Sequence, residues 1–213
     1  MITLYHGTER SYGQKIIASK SFHRSLGNEH WLGDGIYFYE EIDYAFRWIY
    51  ISYSKKYPQC IPKMSNIINK YVVLSADINV KPERIFDLTK SSYKRLFDEV
   101  LRRSLEKNKY ANLEIVDGAV LNFMFRNMKY NTKYDIIKGL FIHEDNDISI
   151  AKTRLAYIPE VQYCVINKGI ISNIKDINIL EDDITKFSFA QHYNDKGNGK
   201  LIKYKPRKKM YNN

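Results

Sequence analysis

The chain has 213 residues, 44% hydrophobic and 27% charged, and its 34 Lys and Arg outnumber 24 Asp and Glu for a net charge of +10. That length suits one domain with a real core; no apolar run approaches the ~18 residues of a membrane span, and the N-terminus lacks the basic-then-apolar layout of a secretory signal. Cys60 and Cys164 lie far apart without His or Cys at metal-ligand spacing, which argues against a disulfide framework or a zinc site and for a reducing cytoplasm.

Ile2 to Tyr5 reads as a short strand running into His6-Gly7-Thr8. A glycine beside a histidine at a strand end lets backbone approach a ligand, although such a histidine taken alone is more often structural. Tyr12 to Ser21 predicts a short helix, with Ile16, Ile17 and Phe22 spaced along its inner face. Leu32-Gly-Asp-Gly-Ile-Tyr-Phe38 is a glycine turn entering a strand of aromatic and β-branched character. A helix rich in Tyr and Trp is expected over Asp43 to Tyr57, with Ala45, Trp48, Ile49 and Ser52 at helical spacing, and Pro58 to Asn69 reads as an irregular connector. Tyr71 to Ile78 is apolar on both faces and predicts a central strand. Arg84 to Thr89 is a second, shorter extended piece. Thr89 or Ser91 can cap the helix that follows, Ser92 to Lys107. Its apolar stripe is Leu96, Val100, Leu101 and Leu105, opposite a basic face of Lys94, Arg95, Arg102, Arg103 and Lys107. Ile115 to Tyr130 predicts another helix, with Ala119, Val120, Phe123, Met124 and Met128 inward.

The C-terminal third returns to strands: Tyr134 to His143, Thr153 to Ile158, Val161 to Ile166, and an alternating segment from Ile170 to Leu180. Glu144-Asp-Asn-Asp147 reads as an exposed hairpin loop rather than a cation site. In a strand, Glu160 and Gln162 project to the same side. The expected architecture is a single α+β domain with a split, mostly antiparallel sheet over residues 1–190, followed by a basic extension over 191–213. That extension carries Lys196, Lys200, Lys203, Lys205, Arg207, Lys208 and Lys209, with Tyr193, Tyr204 and Tyr211 interleaved. Such a stretch suits a polyanion, its tyrosines stacking on bases; a solvated basic tail is the plainer alternative.

A strand into His-Gly-Thr, a short helix, Gly-x-Gly-Ile-Tyr-Phe, then a helix with alanine in its first turn: this order resembles the ADP-ribosyltransferase family, on its diphtheria-toxin-like or poly(ADP-ribose) polymerase-like side. The resemblance implies an ADP-ribosyltransferase-like sheet and NAD as co-substrate, with no metal. It implies Gly7 backbone groups on the nicotinamide carboxamide, Tyr37 stacked on the ring, His6 on a ribose hydroxyl and Thr8 adding a contact, with Gly35 shaping the tyrosine turn. Trp48 would be a second pocket wall or a core tryptophan. The family's third motif, a strand-start glutamate that holds the nicotinamide ribose and supports charge at the anomeric carbon, falls on Ile158-Pro-Glu-Val-Gln-Tyr-Cys164. Matching the downstream Tyr-x-Val puts Gln162 in its place; reading from the loop side puts Glu160 there, and only Glu160 carries a charge. The family's serine near the start of the following helix is missing from Tyr39-Glu-Glu-Ile-Asp-Tyr-Ala45.

Members of this family modify proteins, nucleic acids or small molecules, and a fold does not choose among them. With a pI near 9.3, the expected acceptor is RNA or single-stranded DNA, bound partly by Lys200, Lys203, Lys205, Arg207, Lys208 and Lys209, in a toxin or phage-defence effector. A protein-modifying transferase, an NAD glycohydrolase and an inactive module binding nucleic acid or ADP-ribosylated partners are the alternatives. A monomer is expected, with an acidic antitoxin as a further partner.

Overall fold

The computed structural model describes residues 1–60, 63–108, 116–141 and 160–177. The first strand, β1, runs from Ile2 to Glu9 and passes directly into helix α1, Arg10–Ser19. His6-Gly7-Thr8 therefore lies inside the strand and not at its end. The reason is β3, Tyr71–Ile78, which pairs antiparallel with the whole of β1, from Ile2 opposite Ile78 to Glu9 opposite Tyr71. Strand β2 spans Ile36–Tyr39 and helix α2 Ile42–Lys56. The segment expected to be irregular contains a short helix, α3, Met64–Lys70. Strand β4 is Ile85–Asp87, helix α4 Ser91–Asn108 and helix α5 Asp117–Arg126. Strands β5, β6 and β7 are Ile136–Phe141, Glu160–Val165 and Ile171–Asp176.

These seven strands form one sheet in the order β4-β5-β6-β2-β1-β3-β7, antiparallel except for the β4–β5 pair. The fold is α+β, as the sequence pattern implies. One face carries Leu4, Ile36, Phe38, Val72, Leu74, Tyr163 and Val165 against Ile16 of α1 and Phe22. The opposite face holds two apolar groups. Tyr39, Tyr71 and Val73 pack under α2 and α3 with Ala45, Phe46, Ile49, Tyr53 and Ile67. Phe86, Ile137 and Cys164 pack under α4 and α5 with Phe97, Val120, Leu121, Met124 and Phe125.

Helical register corrects several sequence expectations. On α4 the inward residues are Tyr93, Phe97, Val100 and Leu101, while Leu96 and Leu105 are exposed; the stripe is rotated because the aromatics Tyr93 and Phe97 turn inward, Tyr93 meeting Phe86 at 5.2 Å. The face expected to be basic is mixed, with Lys94 on Asp98, Arg102 on Glu99 and Glu106, and Arg103 on Glu99. On α5, Leu121, Asn122 and Phe125 are buried beside Val120 and Met124 and Phe123 faces solvent, as does Met128 just beyond the helix end. Ile17 of α1 is likewise exposed. The expected strand over Thr153 to Ile158, the acidic turn at 144–147 and the basic extension lie outside the described residues.

Gly7 sets how closely α2 approaches the sheet. A Cβ there would meet the Ala45 carbonyl oxygen at 2.8 Å, Ile49 Cγ2 at 2.9 Å and Trp48 Cε3 at 3.0 Å. Gly7→Ala is expected to destabilise the fold by about 1–3 kcal/mol through overpacking, seen as a fall of several degrees in Tm. An unchanged Tm would mean that α2 does not sit this close to β1.

Candidate active site

Strands β1 and β2 share one register pair, Tyr5 opposite Tyr39. Beyond it His6 to Glu9 continue along β3 alone, and the ladder to β2 lapses. The His6 imidazole stands at this opening. Its Nδ1–H donates to the Tyr37 carbonyl at 2.7 Å, which fixes the tautomer and leaves the Nε2 lone pair without a partner among the described residues. Phe22 meets the ring edge-on at 5.1 Å and Phe38 lies at 5.6 Å. Burial among these groups lowers the His6 pKa, and the hydrogen bond to Tyr37 only partly offsets it.

Tyr37 is anchored by its hydroxyl, which donates to the Gly33 carbonyl at 2.6 Å and accepts from the Leu32 N–H at 2.9 Å. Gly33 takes a positive φ of 76° and its N–H closes a turn onto the His30 carbonyl at 2.9 Å. The phenol thus ties the turn to the strand it precedes, and burial raises its pKa far above the ordinary range. Its ring lies 5.7 Å from that of His30. Asn122 of α5 braces the same loop: Oδ1 accepts from the Asp34 N–H at 2.7 Å, and Nδ2 donates to Asn28 Oδ1 at 3.1 Å. Arg126 pairs with Asp34. Gly35 forms a two-way backbone bridge with Ser25 and has Cys164 against its Cα. Burial pushes the Cys164 thiol up to about 12, so it is not a thiolate nucleophile at neutral pH.

Glu160 and Gln162 of β6 project together onto the α2 side of the sheet. Gln162 stands opposite Tyr39 on β2 and opposite Gly139 on β5. Both side chains are buried, Glu160 at 3% exposure and Gln162 at 6%. The Gln162 amide donates to Glu160 Oε1, and Arg47 Nη1 lies 3.2 Å from Glu160 Oε2. A buried carboxylate needs such compensation, because desolvation otherwise costs several kcal/mol. Tyr39 and Tyr44 lie within the influence of this carboxylate; burial first, and the Glu160 charge second, raise both phenols. Arg47, Tyr39 and Tyr44 were not among the sequence candidates. Arg47 did leave a signal, as a lone charge inside the apolar run Ala45-Phe-Arg-Trp-Ile49.

The remaining candidates fall around this arrangement. Trp48 packs over Gly7 and meets Tyr71 edge-on at 6.4 Å, yet it is 39% exposed and so is not a core tryptophan. Thr8 is buried on the α1 face with its methyl toward Gly13. Strand alternation puts His6 on that α1 face too, with Phe22 and Phe38, while Glu160, Gln162 and Tyr37 occupy the other. His6 reaches the β1–β2 opening from one side of the sheet and the Glu160–Gln162 pair lies on the other. A recess of about 390 Å³ lined by Arg10, Lys56, Lys70 and Tyr57 lies beyond Glu9, at the far end of β1. Lys200, Lys203, Lys205, Arg207, Lys208 and Lys209 lie outside the described residues. Among those residues no group of three or more His, Cys, Asp or Glu side chains can hold a metal, and no helix is long and apolar enough to cross a membrane.

The protein is thus an α+β chain with a partly opened antiparallel sheet and a buried Glu160–Gln162 pair held by Arg47, Gln162 lying level with the Tyr5–Tyr39 pair where the opening starts. It is 36% identical over 204 residues to the uncharacterized protein MJ0359 of Methanocaldococcus jannaschii, covering 87% of this chain and 91% of that one, and it belongs to the same family. No family model matches the chain, and no solved structure gives a significant match.

The His6 pKa gives a pH prediction. A histidine whose folded pKa lies below its unfolded value of about 6.5 contributes stability that is complete above that value and lost as pH falls toward the folded pKa. Wild-type unfolding free energy is therefore expected to drop below about pH 6.5, and to drop less steeply in His6→Asn. Parallel pH profiles for the two proteins in denaturant titrations would show that His6 is not held neutral.

Proposed function

We propose that the chain is an NAD-dependent ADP-ribosyltransferase whose substrate lies along the β1–β2 opening. The observation that carries this reading is the opening itself: His6 to Glu9 have β3 on one side and no β2 ladder on the other, with an unpartnered imidazole nitrogen at its start. A dinucleotide there would pair with the β1 edge that β2 leaves without a ladder, while the missing Gly7 side chain lets α2 and Trp48 close over that stretch. His6 Nε2, neutral and accepting, suits a ribose hydroxyl. Trp48, half-exposed over Gly7, suits a wall of the nicotinamide pocket, as does Tyr37, whose hydroxyl is already occupied and whose ring is thereby held. Buried beside them, Glu160 and Gln162 suit the nicotinamide ribose.

In the reaction, the C–N bond between ribose and nicotinamide breaks with its electron pair leaving on nicotinamide, and the anomeric carbon bonds to an acceptor nucleophile that releases its proton to solvent. Side chains of the chain orient the two ribose rings and stabilise charge at the reacting carbon. The net charge of +10 favours RNA or single-stranded DNA as acceptor, in a cytoplasmic toxin or defence effector. One observation favours a second reading. Both Glu160 oxygens are engaged by Arg47 and Gln162, as in a purely structural ion pair, which suits a non-catalytic module that binds nucleic acid or ADP-ribose.

Incubating the protein with labelled NAD and RNA, single-stranded DNA or lysate protein separates these. Label on nucleic acid, falling steeply with salt as phosphate contacts require, is the expected result. Tyr37→Ala should cut NAD turnover by roughly 10- to 100-fold, from lost stacking of about 1–3 kcal/mol and a loosened Gly33 turn. Absence of NAD binding and turnover in the wild-type chain would leave the binding module as the better reading.

A further inference from the structure

The recess of about 390 Å³ beyond Glu9 forms where four elements end or begin. The last turns of α2 and α3 bring Lys56 and Lys70 to it, β3 starts there at Tyr71, and α1 sets out from Arg10. Arg10, Lys56 and Lys70 are the cations of its lining and Glu9 is its single carboxylate, so three positive charges stand against one negative, a formal +2. Asp176 lies 3.8 Å from Arg10 Nη1 but does not line the recess.

Lysines in the last turn of a helix ordinarily offset its negative end, and here Arg10 has taken over part of that task. Its Nε donates to the Ile68 carbonyl at 3.0 Å and its Nη2 to the Tyr71 carbonyl at 3.2 Å, which locks the guanidinium to the backbone where α3 ends. Lys70 is left as a surplus charge, with no ion pair or hydrogen bond among the described residues. Lys56 gives one of its three N–H donors to Glu9 at 2.7 Å and keeps two. Ser11, Gln14 and Asn69 add polar side chains to the same wall, none of them hydrogen-bonded among the described residues. The Tyr57 ring stands beside these donors, backed by the Tyr53 ring at 4.9 Å.

Such a lining selects its ligand by charge. A phosphomonoester carries about −1.5 to −2 near pH 7 and three strong acceptor oxygens, which matches the formal +2 and the spare ammonium donors. A phosphodiester or a carboxylate, with one charge, matches half of it. A flat ring backed by another suits a base, which stacks on aromatic side chains whatever its identity.

We propose that the recess binds a nucleoside monophosphate, its phosphate oxygens on Lys70, Lys56 and Arg10 and its base against Tyr57. The site is separate from the β1–β2 opening and does not depend on the NAD reading. His6 lies three residues back along β1, about 10 Å away, and the phosphates of NAD are diesters.

The test is a titration of the full chain with AMP, followed by backbone amide shifts in ¹⁵N–¹H spectra. One saturable site is expected, with shifts centred on Ser11, Gln14, Asn69 and Lys70. Inorganic phosphate should move the same residues with about tenfold weaker affinity, for want of a base to stack, and dimethyl phosphate should not move them. Lys70→Gln removes a side chain without a partner, so Tm should hold while AMP binding weakens about tenfold or more, as loss of a charged hydrogen bond requires. Glu9→Gln should tighten binding, because it releases Lys56. Shifts confined to residues 191–213, equal binding of dimethyl phosphate and inorganic phosphate, or AMP affinity unchanged in Lys70→Gln would each overturn the proposal and leave the NAD reading untouched. Displacement of AMP by NAD would also overturn it, by making the recess part of the dinucleotide site.

Discussion

The bond from His6 Nδ1 to the Tyr37 carbonyl is the constraint on which the rest of the site depends. An antiparallel pair that begins at Tyr5 and Tyr39 would ordinarily zip on through His6 opposite Phe38 and Gly7 opposite Tyr37. A side chain instead takes up the Tyr37 carbonyl, satisfying a backbone group that the missing ladder would otherwise orphan. The strands can then part without a buried unpaired carbonyl at the hinge point. Phe22 and Phe38 hold the ring in place on the α1 face, and burial keeps it neutral, which it must be for Nε2 to accept.

From that point the two sides of the opening are stiffened independently. On the β1 side, β3 pairs along all eight residues and α2 rests directly on Gly7. On the β2 side, the turn before the strand is held by the Tyr37 hydroxyl from below and by Asn122 and Arg126 of α5 from beyond. Helix α2 then closes the circuit by carrying Arg47 to Glu160 on β6. Each element thus contributes to a site that no one of them contains, and residues far apart in sequence share one rigid arrangement.

The periodic parts of this design were legible in the sequence. Tyr71 to Ile78 is apolar at nearly every position because both faces of β3 are covered, and β2 announces itself by a glycine turn followed by Ile-Tyr-Phe. The misses have physical causes. Helix α3 is seven residues long and follows Pro58 and Pro62, too short for a period to emerge. On α4 the leucines suggested the wrong stripe, because hydrophobicity alone does not reveal that the aromatics Tyr93 and Phe97 take the inward positions while Leu96 stays exposed. His6, Tyr37, Glu160 and Gln162 stood out by type and order, but their partners did not. Two of those partners are main-chain carbonyls, at Tyr37 and Gly33, which leave no mark in a side-chain pattern. The Arg47 partner lies 113 residues from Glu160, so only folding brings the pair together.

Charge follows the same logic and bears on what the protein can bind. Among the described residues many of the cations already have tasks: Arg47 on Glu160, Arg84 on Asp135, Arg126 on Asp34, and Arg102 and Arg103 on Glu99. At the recess beyond Glu9, Arg10 donates to the Ile68 and Tyr71 carbonyls and Lys56 pairs with Glu9. Exposed pairs of this kind are individually weak, yet an approaching phosphate must compete with a carboxylate for each of them. The stretch from 191 to 213 differs, with seven Lys and Arg against one Asp, and so contains most of the chain's net positive charge in a tenth of its length. An affinity for polyanions would therefore reside mainly there, separable from the sheet that holds His6, Tyr37 and Gln162. Chemistry and acceptor capture would then occupy different parts of the chain, and substitutions in one should leave the other largely intact.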